Sequence, residues 1–122
     1  MIKTIALLKA KPGVSRAEFV AYYEANHAPL VLSLMPGIVE YRRNYPQAEG
    51  AFAFAETPPF DYDSVTEIWY ADRARYDAAI AAVSQPEAAA RLAADEENFI
   101  DRARTRMFVV EERQSAISSP LP

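Results

Sequence analysis

The chain has one histidine, His27, in the stretch Tyr22-Tyr23-Glu24-Ala25-Asn26-His27-Ala28-Pro29-Leu30. Imidazole is the side chain whose ordinary pKa lies near neutrality, so it can both give and take a proton. With no cysteine present, a thiolate nucleophile, a disulfide and a thiolate metal site are excluded. His27 is therefore the first candidate for general acid/base chemistry. Pro29 has no N–H to bond back to Ala25, and it biases Ala28 away from helical geometry. The sequence predicts that the imidazole sits at a helix break, from which a ring can be aimed into a cavity. The bland alternative is a ring packed at a kink with its nitrogens satisfied by backbone.

Further candidates lie on strand-like stretches. Tyr41 and Arg43 alternate with Arg42 and Asn44, so one set must face inward. An inward arginine needs an anionic ligand or a facing carboxylate, and Glu67 on the neighbouring strand is the carboxylate to expect. A purely structural Arg–Glu pair accounts for the same residues. Trp69, Tyr22 and Tyr23 could line a pocket for an aromatic substrate, with a tyrosine hydroxyl donating to an oxyanion, or they could be plain core.

These residues must be held by a small set of elements. The first strand is read as Ile2 to Lys9, followed by a turn at Lys11-Pro12-Gly13. Ser15-Arg16-Ala17-Glu18 is a capping box opening a helix that ends at Pro36-Gly37. Strand two runs from Ile38 to Tyr45, and strand three from Ser64 to Tyr70. Between them, residues 46–63 carry four aromatics (Phe52, Phe54, Phe60 and Tyr62) and are either a lid or a wrap around a neighbour. Asp72 caps a helix over Arg73–Val83. Pro86 opens another helix through Ile100, and Arg104–Glu111 is the last strand.

The order β-α-β-β-α-β is the ferredoxin-like α+β arrangement: a four-stranded antiparallel sheet with helices on one face. Ile5 and Leu7 oppose Ala6 and Leu8, and Met107 and Val109 oppose Phe108 and Val110, so both faces are apolar. One chain has helices for one face only, so a second copy packed sheet to sheet is expected to cover the other. Residues 1–112 read as one domain and 113–122 as a loosely held tail.

Composition narrows the function. A formal net charge of −4 argues against a general nucleic-acid binder. Three glycines exclude glycine-rich phosphate loops, and no calcium-loop spacing occurs. The short apolar run after Met1 lacks the length and cleavage site of a secretion signal, and no stretch approaches the roughly 20 apolar residues of a bilayer span. The expectation is a cytoplasmic protein with no metal and no tightly held cofactor.

The segments Ile2-Lys3-Thr4-Ile5-Ala6-Leu7-Leu8-Lys9, Ser15-Arg16-Ala17-Glu18-Phe19, His27-Ala28-Pro29-Leu30, Met35-Pro36-Gly37, Val65-Thr66-Glu67-Ile68-Trp69-Tyr70 and Asp95-Glu96-Glu97-Asn98-Phe99-Ile100-Asp101 together carry a resemblance. The chain resembles the EthD-like family of the dimeric α/β-barrel superfamily, from about Ile2 to Glu111. The resemblance implies a dimer whose sheets wrap into a barrel and a small-molecule cavity between sheet and helices, lined by the equivalent histidine. It also puts an acidic pair where Asp95 stands, so Asp95 is the partner to expect for His27. A carboxylate there would hold the ring in one tautomer; a solvated acidic face at Asp95, Glu96 and Glu97 is the competing reading.

The function expected is cofactor-independent isomerisation, dehydration or cyclisation of a cyclic, aromatic or lactone-like intermediate. His27 and Asp95 would be catalytic; Tyr23, Tyr41, Arg43, Glu67 and Trp69 would bind substrate. Two alternatives remain open: an oxidoreductase, haem-binding through His27 or cofactor-free, and a non-catalytic binder of a hydrophobic metabolite.

Overall fold

The computed structural model describes residues 1–118. Its elements are β1 (Ile2–Leu8), α1 (Arg16–Tyr22), a π-helical turn (Tyr23–His27), α2 (Ala28–Leu34), β2 (Ile38–Asn44), β3 (Ser64–Tyr70), α3 (Arg73–Val83), α4 (Pro86–Glu96), a 3-10 turn (Arg102–Arg104) and β4 (Arg106–Val110). The sheet order is β2-β3-β1-β4 with every neighbour antiparallel. This is the ferredoxin-like arrangement, and the strands lie where the alternation placed them, to within two residues. The last turn before residue 100 is not helix: α4 stops at Glu96, and Ile100 makes a single bridge to Ala10. Residues 113–118 form no regular structure; the end of the expected tail, residues 119–122, lies outside the described residues.

Local chemistry sets these boundaries. The Ser15 hydroxyl accepts from the Glu18 N–H and the Glu18 carboxylate accepts from the Ser15 N–H, both at 3.1 Å, so the capping box is closed. Asp72 caps α3 by accepting from the Arg75 N–H at 2.9 Å. After α2, Gly37 takes a φ of +85°, which lets the chain turn at once into β2.

One expectation fails in an informative way. Ala28 is helical, with φ −61° and ψ −46°, and Pro29 does not break the helix. The chain widens instead. The Ala28 N–H reaches back five residues to the Tyr23 carbonyl, and Pro29 falls in the first turn of α2, where a missing N–H costs little. The π turn absorbs what the proline removes, and His27 is its last residue.

Alternation in β3 is strict. Ser64, Thr66, Ile68 and Tyr70 are buried under the helices, while Val65, Glu67 and Trp69 lie on the other face. Phe19, Tyr23 and Phe99, each at most 1% exposed, centre the larger core cluster between α1, the sheet and the segment after α4. Truncating such a buried aromatic costs about 3–5 kcal/mol. A smaller cluster of Ile68, Tyr70 and Ala79 lies under α3. The Tyr70 hydroxyl has no partner there among the described residues, and burial pushes it up to about 12. No described helix is long and apolar enough to cross a membrane.

Candidate active site

His27 leaves the π turn pointing at α4. Its Nδ1 lies 2.6 Å from Oδ2 of Asp95, and the two side chains are only 9% and 10% exposed. A carboxylate is acceptor-only, so Nδ1 carries the hydrogen. The other oxygen of Asp95 accepts from the Tyr22 hydroxyl at 2.8 Å. The Tyr22 oxygen in turn accepts from Asn98 Nδ2 at 2.9 Å, and Asn98 is tied to the Ala94 carbonyl at 3.2 Å. Burial, then the bond to Asp95, raises the Tyr22 phenol, so it stays a neutral donor.

Packing fixes the ring as firmly as the hydrogen bonds do. The imidazole lies against Phe99 with centroids 5.0 Å apart and meets Tyr23 at 5.1 Å nearly edge-on. Tyr22 also lies against Phe99, tilted by 30° with centroids 4.9 Å apart. No described residue bonds Nε2, which keeps contact with solvent although the residue as a whole is buried. With Nδ1–H committed to Asp95, neutral His27 presents a basic Nε2 outward, and protonated His27 presents an acidic N–H there. Glu96, the next residue after Asp95, is half-buried; desolvation raises its carboxyl against the pull of His27 and of Arg102 at 3.5 Å.

The EthD domain family matches residues 11–103. The chain belongs to the EthD family. No curated protein matches its sequence. Among the solved structures that share this fold are three of stated family or activity. An ethyl tert-butyl ether D (EthD) family protein from Bacillus halodurans aligns at 18% identity with a TM-score of 0.60, covering 93% of this chain and 100% of that one. SnoaB, a cofactor-independent oxygenase from Streptomyces nogalater, aligns at 15% and 0.59, covering 93% and 94%. A DABB family protein with a ferredoxin-like fold from Mesorhizobium loti aligns at 14% and 0.59, covering 93% and 97%.

The other residues singled out in this EthD chain divide between the two sides of the sheet. Tyr23 and Tyr41 lie on the helix side with His27. The Tyr23 hydroxyl is 2.9 Å from that of Tyr41 and 2.8 Å from that of Thr66, which is 2.9 Å from Ser64. Desolvation raises both phenols, so this buried string of hydroxyls stays neutral.

Arg43 is also on the helix side, but its carboxylate is Glu24, not Glu67. It forks onto Glu24 at 2.6 and 3.0 Å, and Tyr45 donates to the same carboxylate at 2.5 Å. Parity explains the difference. Arg43 stands opposite Thr66, and Glu67 stands opposite Arg42 on the far face. There Glu67 binds Lys3 at 2.7 Å and accepts from Asn44 at 2.9 Å, while Trp69 lies between Lys3 and Arg42, 4.6 and 5.2 Å from its ring. Glu67 and Trp69 are thus separated from His27 by the sheet.

Space is also distributed otherwise than expected. A groove of about 820 Å³ runs between α1 and the end of β2, lined by Val20, Ala21, Arg43 and Tyr45 among others. A second, of about 880 Å³, lies between the arms of the 46–63 connection and shares Arg16 and Gln47 with the first. His27 lines neither. Among the described residues no group of three metal-ligating side chains occurs.

Tyr22, singled out above as a pocket or core aromatic, completes the His27 site together with Asn98 and Phe99, which the sequence reading does not select. Asp95, Asn98 and Phe99 are spaced i, i+3, i+4, the pattern of one helical face. That spacing is the available signal.

Proposed function

We propose that this EthD-family protein is a cofactor-independent acid/base enzyme in which His27 moves a proton on a small cyclic, aromatic or lactone-like substrate. The observation that carries this reading is the 2.6 Å contact from His27 Nδ1 to a buried Asp95 whose second oxygen is occupied by Tyr22. A carboxylate on Nδ1 holds the ring in one tautomer and leaves Nε2 as the working atom. Isomerisation, dehydration and cyclisation each need one group that takes a proton at one atom and returns it at another.

The helix-free face bears on assembly. Ile5, Leu7, Val65, Trp69, Phe108 and Val110 share it, and Phe108 is 41% exposed. Most of its charged members pair among themselves, Lys3 with Glu67 and Glu112, and Arg42 with Glu40, while Arg106, opposite Leu7, has no ion pair among the described residues. The face is apolar at its centre, with Arg106 at one end, and we assign it to a second copy of the chain, sheet against sheet.

The test is deuterium wash-in at activated C–H positions of a panel of cyclic ketones and lactones, followed by proton NMR. The wild-type protein is expected to exchange one or more of these about 10²–10⁴-fold faster than His27→Ala. Equal rates for a substrate that wild type turns over would overturn the catalytic assignment. A Soret band on titration with haemin, lost in His27→Ala, would move the assignment to a haem protein instead.

A further inference from the structure

The first helical segment has two apolar stripes, and the core takes one of them. Phe19 and Tyr23, four residues apart, enter the larger core cluster. Ala17, Val20 and Ala21 form the second stripe at i, i+3, i+4, with both alanines exposed and Val20 half-buried. A helix surface turned to water ordinarily carries polar and charged side chains. This stripe instead floors the groove of about 820 Å³ between α1 and the end of β2, which Arg43 and Tyr45 line from the β2 side. Small-molecule sites have volumes of roughly 300–1,000 Å³ and mostly apolar walls. Two of the three floor side chains are single methyl groups, and their small size gives the groove its depth.

The charges of the groove say which ligand suits it. Arg16 and Arg43 line it, and no carboxylate does among the described residues. Arg43 is committed to Glu24 and to the Tyr41 carbonyl. Arg16 is differently placed. Its guanidinium donates to the Pro46 carbonyl at 2.5 Å and to the Tyr45 carbonyl at 3.5 Å, and it makes no ion pair among the described residues. Of the five N–H groups of an arginine, three therefore have no partner there. Backbone carbonyls fix the position of this cation without neutralising it. A guanidinium with a free edge matches a carboxylate in both charge and planar geometry. Gln47, which lines the groove with Arg16, has an amide with no hydrogen bond among the described residues.

We propose that this groove binds a small molecule with an apolar body and one carboxylate, the body lying on Ala17, Val20 and Ala21 and the carboxylate pairing with Arg16. The site is separate from His27, which lines no part of the groove, and it does not depend on the proton chemistry assigned there. Arg43 stands opposite Thr66 on the helix side of the sheet, so a copy packed on the helix-free face leaves the groove open.

The experiment is titration of the nitrogen-15-labelled full chain with sodium octanoate, read by amide chemical shifts, with octanol as the uncharged probe. Saturable shifts are expected at Ala17, Ala21 and Gln47, and a dissociation constant at least tenfold lower for octanoate than for octanol. Ala21→Phe fills the groove from an exposed position and is expected to weaken octanoate at least tenfold. Arg16→Gln is expected to abolish the preference for octanoate over octanol. Thermal melting shows that both variants are folded. Shifts that never saturate, octanol binding as tightly as octanoate, or octanoate binding unchanged in Ala21→Phe would each overturn the proposal. Shifts centred on Tyr22, His27 and Asp95 that vanish in His27→Ala would place the ligand at the histidine, overturning this site and leaving the acid/base reading intact.

Discussion

Two acid–cation pairs tie the first helical segment to the rest of the molecule, and they differ in what they leave free. Arg43 and Glu24 join β2 to the π turn, with side chains 23% and 41% exposed. Both oxygens of Glu24 are engaged by the guanidinium fork, and Tyr45 adds a third donor. Arginine keeps its charge at any working pH, so this pair has one state. His27 and Asp95 join the π turn to α4, far more deeply buried, with Asp95 saturated by Tyr22 and His27. Here the cation is conditional, and one nitrogen of the ring is uncommitted. A pair that is complete in itself can only hold elements together. A pair with one open valence, in a site from which most water is excluded, can exchange a proton with something else.

Removing each carboxylate should separate the two roles. Asp95→Ala leaves the Tyr22 hydroxyl and Nδ1 without their partner, at a cost of about 1–3 kcal/mol in chemical denaturation. It also frees the tautomer, so turnover on any substrate that wild type processes should fall about 10–100-fold, part of the span that acid/base catalysis supplies. Nitrogen-15 shifts of the imidazole report the tautomer directly: Nδ1-protonated in the wild type, mixed in the variant. Should Glu24→Ala lower turnover as much as Asp95→Ala does, the distinction between a working pair and a holding pair is wrong.

Much of this division is legible in the amino-acid sequence alone, and the illegible part has definite causes. Strand alternation and caps are short-range signals, so β3 at Ser64–Tyr70 and α3 at Arg73–Val83 are read off directly. The lone histidine points to His27 by itself, whereas Asp95 is reached through the resemblance to the EthD-like family, because an acidic run alone reads equally well as a solvated face. The partner of Arg43 is not legible, because alternation gives parity only once the register is known. Glu67 is the right residue type on the right strand, one position out of phase. The π turn is not legible either. Proline rules describe what an α-helix loses at Pro29, whereas the backbone escapes into a wider turn that keeps Ala28 helical. Tyr22 has the spacing of a pocket or core aromatic. Its hydroxyl acts instead through a residue 73 positions away, a distance no local pattern spans.

Tyr22→Phe sharpens the comparison at smaller amplitude. Phenylalanine preserves the contact with Phe99 and removes only the donor to Asp95. The expected loss is about 0.5–1.5 kcal/mol in urea denaturation. Since Nδ1 still holds the other oxygen, the tautomer should remain as in wild type. A mixed tautomer in Tyr22→Phe would mean that Asp95 is positioned chiefly by Tyr22 and only weakly by His27.

The smallest effect belongs to the exposed pair, and its pH dependence has a definite sign. Arg43 holds the Glu24 carboxyl below the ordinary carboxylate range, chiefly through their hydrogen bonds and against the opposing effect of burial. In the acid range the folded chain therefore binds fewer protons at Glu24 than the unfolded chain does. The stabilisation is fully present above the unfolded value of about 4.3 and is lost as pH falls through the depressed folded one. Glu24→Gln should cost at most about 1 kcal/mol near neutrality, because the pair is half-open to solvent. That difference from wild type should shrink as the pH is lowered, and it should shrink with added salt at neutral pH. A wild-type advantage that grew on acidification would mean that Glu24 is stabilised in its protonated form, and the pair with Arg43 would then not be the fixed clamp against which His27 and Asp95 stand out.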